Sequence, residues 1–191
     1  AEFAGTAVAR DFVEAPSQML ENWIWNADVL ARLSSHHETG ESLPEETLKG
    51  MLAAKNMGSG LSAEAQVFLG MMDMTFHTDA DGEVDTTAVR ADVYRDTRIF
   101  PVIEGLTSQG SFGHLVGYHA SYYGYLWSLV YAQDMFSRFE KEGIMNKDTA
   151  REYRRLVLAR GGTVEALDLV RDFLGREPNA DAFLRELGLE E

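Results

Sequence analysis

With 191 residues, 45% of them hydrophobic and 10% aromatic, the chain is long enough for one domain with a packed core and too short for two comfortable ones. Seventeen Lys and Arg against 31 Asp and Glu leave a net charge of −14, a field that repels nucleic acid and anionic membrane surfaces. The absence of cysteine excludes disulfide scaffolds, thiolate zinc fingers, iron–sulfur clusters and thiol nucleophiles, and no apolar run reaches the roughly 20 residues that span a bilayer.

Apolar residues recur at helical spacing from the first segment, which is expected to be helical from Asp11 to Trp25, followed by Ala27 to Ser35. Ser42-Leu43-Pro44-Glu45 fits a capping box opening a helix to about Asn56. Gly58-Ser59-Gly60 reads as a break, and Ser62 as the cap of a long apolar segment, Ala63 to Phe76. Asp79-Ala80-Asp81-Gly82 reads as a turn, and Asp85 caps a helix through Arg98. Between Phe100 and Gly117, Pro101 and four glycines interrupt any period, which predicts a long functional or mobile loop. An aromatic helix is expected from Tyr118 to Glu142, stopped at Gly143. Shorter helices follow over Lys147 to Ala159, Val164 to Leu174 and Ala180 to Leu187, with Asn146, Thr163 and Asn179 as caps. No alternating strand survives. The chain reads as all-α, a single multi-helix domain over residues 1–191 with one long Gly-rich loop.

Several chemistries drop out on motif grounds. There is no phosphate loop, no dinucleotide glycine fingerprint and no His-Glu-x-x-His pair, and none of the five histidines follows a glutamate by three residues. Two regions stand out. In Asp11-Phe12-Val13-Glu14-Ala15-Pro16-Ser17-Gln18-Met19-Leu20-Glu21-Asn22-Trp23, the polar groups of Glu14, Gln18 and Glu21 share one helical face, the two carboxylates about 10 Å apart along the axis. Pro16 loosens the backbone beside Glu14. A plain solvated face has the same pattern. In the second region four of the seven tyrosines fall between positions 118 and 125. Tyr118, Tyr122 and Tyr125 stand at i, i+4 and i+7, so their hydroxyls would line one helical face, suited to peptide carbonyls or an oxyanion. Rings packed in a helical core would also account for them.

The first of these stretches closely resembles a segment of the M3 family of zinc oligopeptidases, the thimet oligopeptidase and neurolysin group. So do Phe112-Gly113-His114-Leu115 through Tyr122-Tyr123-Gly124-Tyr125-Leu126-Trp127, Lys141-Glu142-Gly143-Ile144-Met145-Asn146 and Asp172-Phe173-Leu174-Gly175-Arg176-Glu177-Pro178-Asn179. The resemblance implies the C-terminal part of a larger zincin-type catalytic domain. Its His-Glu-x-x-His helix would lie upstream of Ala1, an expectation in keeping with a chain that does not begin with Met. It further implies one zinc ion, held by two histidines absent from this chain and by Glu14, with Glu21 orienting a ligating histidine. His114, Tyr118 and Tyr125 match catalytic positions, Tyr122 a substrate-binding one, and Arg10 a position near the substrate channel. Gly117-Tyr118 stands where many relatives carry Gly-Gly-Tyr, and His119 replaces a common aspartate.

The expected partners are short peptide substrates and the rest of the parent enzyme, with no nucleic acid and no membrane span; the expected compartment is the cytoplasm, alternatively the mitochondrion. The parent reads as a zinc endopeptidase and the isolated chain as inactive. A catalytically silent all-α module that binds peptides or assembles with a partner also explains the tyrosines. Among the remaining features, His36-His37-Glu38 reads as a solvated turn, His77 as a partner of its helix C-terminus, and Met71, Met72 and Met74 as core filler or a peptide-binding surface.

Overall fold

The computed structural model describes residues 2–3, 5–78 and 82–189, and among them there are helices and no strands. The expected turn at Asp79-Ala80-Asp81 lies outside the described residues. The helices are α1 (Ala15–Glu21), α2 (Ala27–Leu33), α3 (Glu45–Ala54), α4 (Ser59–Thr78), α5 (Thr86–Thr97), α6 (His114–Gly117), α7 (Gly124–Glu142), α8 (Lys147–Tyr153), α9 (Ala166–Leu174) and α10 (Asp181–Glu186). They condense into two compact units, Ala1–Met57 with Ser128–Glu191, and Gly58–Trp127.

The first unit is organised by aromatic and aliphatic side chains that α1, α7 and α9 bring together. Phe12, in the turn that leads into α1, and Ala15 and Met19 on its buried side meet Met135, Phe136 and Phe139 of α7 and Leu169, Val170 and Phe173 of α9. Trp23 stands edge-on to Phe136 and Phe139, with ring centroids at 5.2 and 4.9 Å, and its indole N–H donates to Ile144 O at 3.1 Å. Asp134, fully buried on α7, accepts both terminal nitrogens of Arg176 and the Asn179 N–H at 2.9 Å. The hydrogen bond to that carboxylate raises the Arg176 pKa above its ordinary value. Gly162 donates its N–H to Phe3 O at 3.1 Å, and a Cβ there would collide with Ala7 O, so only glycine allows the N-terminal segment this close.

The second unit is built on α4 against α5. Phe68, Met72 and Val93 form its small core, and the Phe68 ring meets Tyr94 edge-on at 5.3 Å. Met71 and Met74 remain partly exposed, so of the three methionines Met72 alone is filler. The segment from Phe100 to Gly117 holds more structure than its glycines predict. Its 3-10 turn Ser108–Ser111 is tied to α5, with buried Arg90 Nε donating to Ser108 Oγ at 2.8 Å and Gln109 Nε2 donating to Thr87 Oγ1 at 3.0 Å.

The caps expected at Asp85 and Asn146 form: each side chain accepts from the first backbone N–H groups of its helix. Asn179 accepts the Asp181 N–H at 3.1 Å, while Thr163 instead donates to Arg160 O. Neither Ser42 nor Ser62 caps a helix; α3 starts behind Pro44 without a side-chain cap, and α4 runs through Gly60 from Ser59. The helix expected over Lys147 to Ala159 changes to a π turn at Arg154–Leu158, closed by Ala159 N–H to Arg154 O at 2.8 Å.

Candidate active site

In the first unit the sequence pattern around Glu14 sorts cleanly. Phe12, Ala15, Met19 and Asn22 are buried and Glu21 is exposed, while Glu14 and Gln18 are half-buried, the Gln18 Oε1 atom fully so. Glu14 stands at the N-cap of α1 with helical backbone angles and makes no capping hydrogen bond; Pro16 occupies the first turn. Its half-buried carboxylate accepts Ser17 Oγ–H at Oε2, 3.3 Å away, while the same hydroxyl lies 2.9 Å from the Glu14 carbonyl oxygen. Glu21, two turns on and the last residue of α1, is exposed, as is Arg10.

In the second unit, Tyr118, Tyr122, Tyr125 and His114 do come together, but not along a helix. The helix expected from Tyr118 starts only at Gly124, and residues 118–123 form a loop. This loop wraps Tyr118 onto Tyr125, their rings stacked at 5.3 Å. His114 lies edge-on to Tyr118, Tyr122 and Tyr125 at 6.2, 5.0 and 5.7 Å, and the Tyr125 hydroxyl is 3.3 Å from His114 Nε2. Tyr122 differs from its neighbours. It is 7% exposed, packed against Phe112 and Tyr125 at 5.0 Å each, and desolvation raises its pKa against the lowering effect of a hydrogen bond to Gln66. The packing alternative thus describes Tyr122, whereas Tyr118 and Tyr125 are half-exposed and His114 is exposed. A phenol next to an imidazole, both reachable, is an arrangement that donates to a developing oxyanion or to a peptide carbonyl.

Asp73, absent from the sequence-level candidates, anchors this loop. Its buried carboxylate accepts the backbone N–H groups of Ala120, Ser121 and Tyr122 at 2.9, 3.0 and 2.9 Å. His77 pairs with that carboxylate at 3.1 Å, where a helix-terminus partner alone is expected. His36, His37 and Glu38 form an exposed turn whose backbone N–H groups donate to His36 Nδ1.

A profile described as Peptidase family M3 matches residues 1–189. The chain belongs to peptidase family M3. It is 42% identical over 189 residues to saccharolysin of Saccharomyces cerevisiae, covering 96% of this chain and 26% of that protein. It is 40% identical over 189 residues to oligopeptidase A of Escherichia coli, and 39% identical over 194 to thimet-like oligopeptidase of Dictyostelium discoideum. Those alignments cover 97% and 98% of this chain and 28% of each relative, so the chain spans about a quarter of the length of the curated relatives it matches.

M3 peptidases are in general zinc-dependent. Among the described residues no three His, Asp or Glu side chains converge on a point that would hold a metal ion. A catalytic zinc takes three protein ligands and an open position. The described residues therefore do not form a whole zinc site; a carboxylate such as that of Glu14 is chemically able to serve as one ligand of such a site.

Proposed function

We infer that this chain is the part of a zinc oligopeptidase that completes the metal site and presents the substrate wall. Glu14 is the third ligand beside two histidines of a His-Glu-x-x-His helix outside this chain, and Glu21 accepts the outer N–H of one of them. Tyr118, Tyr125 and His114 meet the carbonyl oxygen of the scissile peptide, Tyr122 supports and borders them, and Arg10 lies beside the channel. Zinc, when bound, polarises that carbonyl and lowers the pKa of its water. The substrates are short unstructured peptides and the compartment is the cytoplasm, with the mitochondrion as the alternative. No described helix is long and apolar enough to cross a membrane.

The observation that carries this reading is Glu14, a half-buried carboxylate that the core of its unit does not use. Its test is hydrolysis of a fluorogenic oligopeptide by the full-length protein and by the 191-residue chain. Turnover is expected from the full-length protein alone, abolished by a chelator and restored by zinc. A full-length protein that binds peptides without cleaving them would establish the silent module instead.

Within the wall, Tyr125→Phe in the full-length protein is expected to lower kcat about 10- to 100-fold with KM nearly constant, because a donor to the oxyanion is lost while the ring remains. An equal loss carried entirely by KM would assign Tyr125 to substrate binding rather than to the transition state.

A further inference from the structure

Ala120 is the one described non-glycine residue with a positive φ, +53°. An alanine there crowds its Cβ against the backbone and persists only where the surroundings impose it. Here the Asp73 carboxylate imposes it. Asp73 Oδ1 accepts the Ala120 N–H, and Oδ2 accepts the N–H groups of Ser121 and Tyr122, so three successive amides converge on one carboxylate from the C-terminal half of α4.

The carboxylate is itself fixed. Its side chain is 1% exposed, and His77 Nδ1 lies 3.1 Å from Oδ1 and 2.7 Å from the Asp73 carbonyl oxygen. Both neighbours of that nitrogen are acceptors, so Nδ1 carries the hydrogen. The loop so pinned runs directly from Tyr118 to Tyr125, and its Tyr122 ring is the floor on which His114 and Tyr125 rest.

We propose that Asp73 is a positioning residue for the tyrosine–histidine wall: its buried carboxylate holds Ala120 in the left-handed conformation and so sets where Tyr118, Tyr125 and His114 stand. The catalytic consequence rests on the peptidase reading above; the structural part does not. An isosteric Asp73→Asn keeps the volume but turns one acceptor into a donor facing amide N–H groups, so at least one of the three loses its partner. A glycine at position 120 adopts the same turn without needing to be held.

The test uses the full-length protein, and three measurements. Amide exchange over residues 120–122 is read first on the wild type. Protection is expected, and exchange as fast as in the exposed segment 103–106 overturns the proposal even if no variant folds. Next, Asp73→Asn is expected to lose that protection and to lower kcat/KM for an oligopeptide about 10- to 100-fold, with zinc content unchanged, at a temperature well below its unfolding transition. Retained protection, or kcat/KM within twofold of wild type in an active enzyme, overturns it. Finally, Ala120→Gly added to Asp73→Asn is expected to recover part of the lost kcat/KM and protection. No recovery of either means that the carboxylate acts in some other way than by holding the turn. If the wild type cleaves no peptide, the peptidase reading fails, and the exchange measurements still decide the role of Asp73.

Discussion

Glutamine in place of Glu14 is expected to reduce oligopeptide hydrolysis by the full-length protein by about a thousandfold or more, together with loss of bound zinc. The exchange is close to isosteric. Glutamine Oε1 can still accept the Ser17 hydroxyl, and the residue makes no capping hydrogen bond to α1, so the fold has little to lose. What changes is the charge. A carboxylate contributes a full negative charge to a divalent cation, an amide only a dipole, and the metal supplies several kcal/mol of transition-state stabilisation, at 1.4 kcal/mol per factor of ten. Zinc per protein by elemental analysis, the unfolding midpoint and kcat/KM separate the possibilities. A variant that keeps its zinc and its turnover within tenfold of wild type would remove Glu14 from the metal site.

Much of the helical order was readable because local chemistry enforces it. Asp85 and Asn146 satisfy N–H groups two and three residues ahead, Gly143 ends α7, and Gly175 adopts a φ of +69° at the end of α9. Such signals lie within one turn of the residue they govern. The failures share the opposite property. Tyr118, Tyr122 and Tyr125 have the spacing of a helical face, yet the chain turns left-handed at Ala120 because an acceptor 47 residues earlier takes its N–H. No window of local periodicity contains Asp73. Likewise the glycine-rich segment after Phe100 reads as unanchored, since the groups that tie down its 3-10 turn, Arg90 and Thr87, lie on α5.

The membership of the tyrosine–histidine cluster was therefore legible while its construction was not. Asp73 did leave a trace: it is the one acid in the apolar stretch 67–76, flanked by Met72 and Met74. Burying a carboxylate costs far more than any helix propensity returns unless donors meet it, so a lone acid in such a run implies partners elsewhere in the chain. Asp134, between Gln133 and Met135 of the long aromatic helix, carries the same signature and has the same explanation.

That second buried acid gives the largest stability effect expected away from the candidate site. Arg176→Ala should cost about 3–5 kcal/mol in urea unfolding, because it strands the fully buried Asp134 carboxylate with the Asn179 N–H as its remaining described partner. Removing the acid instead should cost less. The Arg176 side chain is 43% exposed and can turn its charge into water, whereas Asp134, 1% exposed, cannot. The asymmetry is the test of which group is trapped. Replacing both, as Asp134→Leu with Arg176→Met, should recover a large part of the loss, since no buried charge is then left over; the Asn179 N–H, now without its acceptor, holds the double variant below wild type. Equal costs for the two single alanine variants would mean that water reaches Asp134 once Arg176 is gone. By contrast, Lys49→Ala, which breaks the exposed pair with Glu45 at 2.7 Å, should stay within about 0.5 kcal/mol of wild type in the same measurement, because there both charges keep their water.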